Sequence, residues 1–96
     1  MKINNLAQFK AAIKAAFESK QDIHTLNTHS GDFGIRKLSI VQTNAFAFVT
    51  SKEGKIVNSW CSYEKAGNYE FSNNNVVKVF WGEGDKREHI LTYTFL

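Results

Sequence analysis

Apolar residues at three- and four-residue spacing open the chain: Leu6, Phe9, Ile13, Ala16 and Phe17 form one stripe, which predicts an amphipathic helix over residues 5–20. Asn5 followed three positions later by Gln8 is an asparagine variant of the capping box, able to satisfy free amides of the first turn. Ala11, Ala12, Ala15 and Ala16 favour the helix and keep it thin enough to lie close to a sheet, while Lys10, Lys14 and Glu18 fall on the opposite side.

From residue 35 the period changes to two. Residues 35–42 set Ile35, Lys37, Ser39 and Val41 against Arg36, Leu38, Ile40 and Gln42, and residues 45–50 set Phe46 and Phe48 against Ala45, Ala47 and Val49. The small face of that second strand is where another element is expected to come close. Glycine at the end of Ser51-Lys52-Glu53-Gly54 supplies left-handed geometry for a hairpin, and residues 55–63 return as a strand. A further strand is expected over residues 22–28, with a bulge to bring Ile23 and Leu26 into phase, and the glycines of residues 30–34 indicate a loop. Residues 64–68 read as one helical turn or a tight loop. Short strands follow at 69–72, 76–81 and 87–96, separated by the asparagines 73–75 and the glycine-containing turn 82–86.

One helix followed by short antiparallel strands is an α+β pattern, a single domain over residues 1–96. The expected architecture is an N-terminal helix packed on a curled antiparallel meander sheet, or on a small open barrel, of six to seven short strands. Phe46, Phe48, Trp60, Phe80 and Phe95 are the expected core aromatics.

Composition narrows the function classes. The hydrophobic share of 43% and charged share of 22% are those of a globular protein, and no apolar run reaches the roughly 20 residues of a membrane-spanning helix. MKINNLAQF lacks the apolar stretch of a secretory signal, and a lone cysteine, Cys61, allows no internal disulfide, both of which fit a cytoplasmic location. The net charge of +3 comes from Lys2, Lys10, Lys14 and Lys20 against Glu18 alone, so the helix carries the basic excess.

No set of side chains points to a reaction or a cofactor. A zinc site needs about four donors, and His24 and His29, five apart, project to opposite faces of a regular strand. His29, Ser30 and Asp32 are neighbours in sequence, but adjacent residues rarely reach one another as nucleophile and base. Cys61 beside Trp60 in mid-strand suits a small buried hydrophobe better than a reactive thiolate. The expectation is a chain without catalytic or metal residues.

Two resemblances add partners. Residues 44–49, NAFAFV, resemble the central strand of RNA-recognition motifs, in which aromatics two apart stack on bases, although Phe-X-Phe in a strand is also a core pattern. On that reading Lys10, Lys14, Lys37, Phe46 and Phe48 would bind nucleic acid. INNLAQFKAAIK, IVQTNAFAF, the SWCSYEKA segment and LTYTFL resemble small accessory proteins of bacteriophages and other mobile elements, which include anti-CRISPR inhibitors of host defence. That likeness implies a non-catalytic inhibitor in a bacterial cytoplasm, occluding a host protein or ribonucleoprotein complex. Trp81, Tyr69, Tyr93 and Arg87 are the expected contact residues, since aromatics and arginine dominate interface hot spots. A second copy of the chain, paired through an open strand edge, is a further candidate partner.

Overall fold

The computed structural model describes residues 2–29, 31–63, 68–82 and 84–96. Helix α1 spans Leu6–Glu18 and is capped at both ends by its own sequence. The Asn5 Oδ1 accepts the Gln8 amide at 2.8 Å, and Gln8 Oε1 in turn accepts the Asn4 amide at 2.7 Å, so the reciprocal box forms one residue further out than usual. At the other end Lys20 turns left-handed (φ 56°), and the Gln21 amide reaches back to the Ala16 carbonyl at 2.8 Å, a Schellman closure made without glycine.

Among the described residues eight antiparallel strands follow, in two sheets that do not close into a barrel. β1 (Ile23–Asn27), β2 (Gly31–Arg36), β6 (Asn68–Phe71), β7 (Val76–Trp81) and β8 (Glu88–Phe95) form one sheet in the order β2-β1-β8-β7-β6. β3 (Leu38–Val41), β4 (Ala45–Lys52) and β5 (Lys55–Ser62) form the other in chain order. The β4–β5 hairpin turns on Glu53 and Gly54, both at positive φ (53° and 78°), the primed geometry that matches strand twist. Meander order holds within the second sheet and from β6 to β8. The first sheet is completed by pairing the first strand with the last, Ile23 opposite Phe95.

Several local expectations are corrected. Residues 31–34 are not a loop, since β2 begins at Gly31 and pairs with β1. The alternation over 35–42 is broken at Lys37, with Arg36 in one sheet and Leu38 in the other. A period of two says which face a residue takes but not which sheet it joins. The bulge lies at Phe33, between the pairs Thr25–Gly34 and Leu26–Asp32, so Thr25 turns inward and Leu26 stays exposed. Trp60 is exposed and Phe80 half-buried, leaving Phe46, Phe48 and Phe95 as the expected aromatics that reach the core. Leu6 and Phe17 lie at the exposed margins of the helix stripe. On the small face of β4 only Ala47 is fully buried, between its cross-strand neighbours Ile40 and Trp60 of the same sheet, while Ala45 is half-buried and Val49 exposed. The turn expected at 64–67 lies outside the described residues.

Both sheets and α1 share one core. Phe9 stands at its centre, with no exposed surface, its ring 5.4–6.4 Å from those of Phe46, Tyr63, Tyr69, Phe71, Tyr93 and Phe95. Ile3, 1% exposed, pins the start of the chain to Asn74 through a backbone bridge. Phe9→Ala is expected to cost about 3–5 kcal/mol, the range for truncating a fully buried aromatic, read as a lower midpoint in urea unfolding followed by circular dichroism.

Candidate functional site

β7 alternates inward at Val77, Val79 and Trp81. The two valines are fully buried, but Trp81 sits at the end of the strand beyond the opposing layer and is 54% exposed. On the other sheet Trp60 projects from the same side of β5 as Ile56 and Asn58 and is 51% exposed. Between the two indoles the sheets part to leave a cleft of about 380 Å³, lined by Ala45, Trp60, Cys61, Ser62, Trp81, Leu91 and Tyr93. No side chain in that lining carries a full charge at neutral pH.

Its deepest polar groups are occupied with each other. Tyr93, 1% exposed, donates its hydroxyl to Cys61 Sγ at 3.4 Å. Burial pushes the Cys61 thiol above its ordinary pKa, an effect only partly offset by the Tyr93 hydrogen bond and by the charge of Arg36, and burial likewise raises Tyr93 well above the phenol range. A neutral thiol is a weak nucleophile and metal ligand. The cleft therefore offers shape, aromatic surface and low polarity rather than acid–base chemistry.

The residues expected to meet a partner are divided by the structure. Trp81 lines the cleft, whereas Arg87 is exposed outside its lining, its guanidinium 4.0 Å above the ring of Phe80, which alternates to the other face of β7. Tyr93 is corrected to a core residue, because the inward alternation of β8 carries it beneath Phe9 and Phe48. Tyr69 is half-buried, donating to the Tyr63 carbonyl at 2.8 Å, with burial raising its pKa to about 12. Trp60, expected in the core, belongs to the site instead. Its signal was the company it keeps on its face of β5, where Asn58 and Ser62 are polar.

The nucleic-acid set is not brought together. Phe46 and Phe48 are 1% and 0% exposed, so base stacking on them is closed off, and their spacing is that of a core strand. Lys37 is ion-paired with Asp22, Lys10 lies 5.1 Å from the Tyr63 ring, and Lys14 is exposed on α1. The histidines pair separately, His24 with Asp32 and His29 with Glu88, each at 2.8 Å. Asp32 is held below the usual carboxylate range, first by the Gly34 amide and then by His24. Ser30 lies outside the described residues. Among the described residues no three His, Cys, Asp or Glu side chains gather as a metal set, and no helix is long and apolar enough to cross a membrane.

A raised thiol pKa means a smaller thiolate fraction at neutral pH. Cys61 in the folded protein is expected to react with iodoacetamide at pH 7 more slowly than free cysteine, with the rate still rising beyond the ordinary thiol range. A rate at pH 7 matching the free amino acid, followed by mass spectrometry, would contradict this environment. Comparison with protein-family models, with curated proteins and with solved structures gives no match for this chain.

Proposed function

We propose that the chain is a non-catalytic protein-binding module whose cleft between Trp60 and Trp81 receives an apolar anchor from a partner protein. One observation carries this: two large indoles, each about half exposed (51% and 54%), line a cleft that has no charged side chain among the described residues. Holding such surface against water is unfavourable for a free protein by roughly 25 cal/mol per Å². Exposed aromatics around an apolar recess are what interface hot spots are made of. The cleft is large enough for one or two side chains.

The class of partner comes from the sequence resemblance to mobile-element accessory proteins. On that basis the target is a host defence protein or ribonucleoprotein complex, inhibited by occlusion of a surface rather than by chemistry. The thiol held neutral at the cleft, its recorded hydrogen bond coming from Tyr93, supports a binding role over a catalytic one.

The test is affinity capture from bacterial lysate by the tagged protein, with and without nuclease, followed by mass spectrometry and a titration with the protein recovered. A stoichiometric, nuclease-resistant protein should be retained, and Trp81→Ala should weaken it by about 2 kcal/mol or more, close to 30-fold. Trp81 is half exposed, so the variant should keep its fold. Capture lost with nuclease, or unaffected by both Trp81→Ala and Trp60→Ala, would sink the proposal.

A further inference from the structure

Beyond the cleft, one strand edge is left open. β5 pairs with β4 along all eight of its residues, Lys55 to Ser62, with no register shift, and among the described residues it has no strand on its other side. The other edges are blunted: β2 carries the Phe33 bulge, β6 has four residues, and β3 has four residues, a broken register and α1 against it. β5 has neither proline nor bulge, and between Lys55 and Tyr63 it carries no charge.

The direction of its backbone groups follows from the hairpin. A two-residue turn is closed by a hydrogen-bonded pair, Lys52 with Lys55, so Val57, Ser59 and Cys61 also bond to β4. Two observations agree with this phase: the Tyr63 amide donates to Asn44, and the Val49 amide donates away from β5, to Lys37. Ile56, Asn58 and Trp60 therefore direct their amides and carbonyls to the open edge. Their side chains share one face, where Ile56 is 74% exposed and Trp60 is 51% exposed.

We infer that this edge pairs with the β5 edge of a second copy of the chain, antiparallel about a two-fold axis at Asn58. In that register Ile56 of each copy lies opposite Trp60 of the other, Asn58 meets Asn58, and the outward groups of all three residues find complements, about six hydrogen bonds in all. The result is one six-stranded sheet, β3-β4-β5 continued by the same strands of the second copy. Self-complementarity selects the occupant. Two molecules of net charge +3 meet along an uncharged strand, so no like charges face one another, and a partner chosen by charge would have nothing to read there. One strand edge with two Ile–Trp contacts is less than the roughly 1,600 Å² of a standard stable interface, so dissociation belongs in the micromolar range.

Sedimentation equilibrium from about 10 µM to about 1 mM tests this, together with a charge exchange at the axis. Asn58→Lys and Asn58→Asp each set like charges opposite one another, and each alone should dimerise at least about tenfold more weakly than the natural chain. An equimolar mixture of the two should recover twice the monomer mass within about threefold of the natural affinity, because unlike charges then meet at the axis. Ile56→Pro removes an outward amide without touching the ladder to β4 and should also weaken the dimer. A natural chain that stays monomeric to about 1 mM overturns the inference, as does a dimer indifferent to all three substitutions. Neither Asn58 nor Ile56 lines the cleft, so their substitutions leave its lining unaltered, whereas Trp60 belongs to both surfaces and is left unchanged in this test.

Discussion

Phe9 is the contact on which the architecture depends. It is a residue of the only α-helix among the described residues, and its ring touches rings from β4, β6 and β8 as well as Tyr63 just after β5. The chain passes between the two sheets at Lys37 and again between β5 and β6, and among the described residues the sheets share no ladder with one another. Their mutual position is thus fixed through side chains. Several of the contacts are edge-to-face, at 86–87° between planes, a geometry that adds about 0.5–1.5 kcal/mol per pair beyond area burial. The thin alanine flanks of α1 let Phe9 reach that depth, and Asn5 with Gln8 sets where the helix begins and hence which way Phe9 points.

A core held at one end by the helix leaves the other end less filled. Near β2, Arg36 covers it, stacked 4.5 Å over Phe48 and donating to Thr50 Oγ1 at 2.9 Å, with burial lowering its pKa. Near the end of β7 no comparable cover is seen among the described residues, and Trp81 and Trp60 line the gap. The cleft and the open β5 edge thus share an origin. The second sheet has three strands against five, and β5 outlasts the surface available to cover it.

Much of this was legible along the chain. The helix, its cap, the β4–β5 hairpin and strand β7 follow from local periodicity and turn residues, because amide satisfaction and facial burial act over a few positions. The exposure of the candidate residues was half legible: Trp81 and Arg87 are exposed as expected, while Tyr93, expected at the surface, is buried at the cleft and Trp60, expected in the core, is half exposed. Both lie in alternating strands with an aromatic set among small or polar residues. Nothing local to Tyr93 records that β8 runs through the centre of its sheet, or to Trp60 that β5 ends one.

The sequence by itself determined the elements: where backbone amides are capped, where the chain must turn, and which residues of each strand share a face. Only the tertiary structure decided how these faces are used. It broke residues 35–42 between two sheets at Lys37, paired Ile23 with Phe95, and buried Phe46 and Phe48 while leaving Trp60 in water. The physical reason is that alternation constrains a side chain to one of two sides, whereas burial depends on what arrives from elsewhere in the chain. For this protein the arrivals that matter are Phe9 from the helix and β8 from the far end.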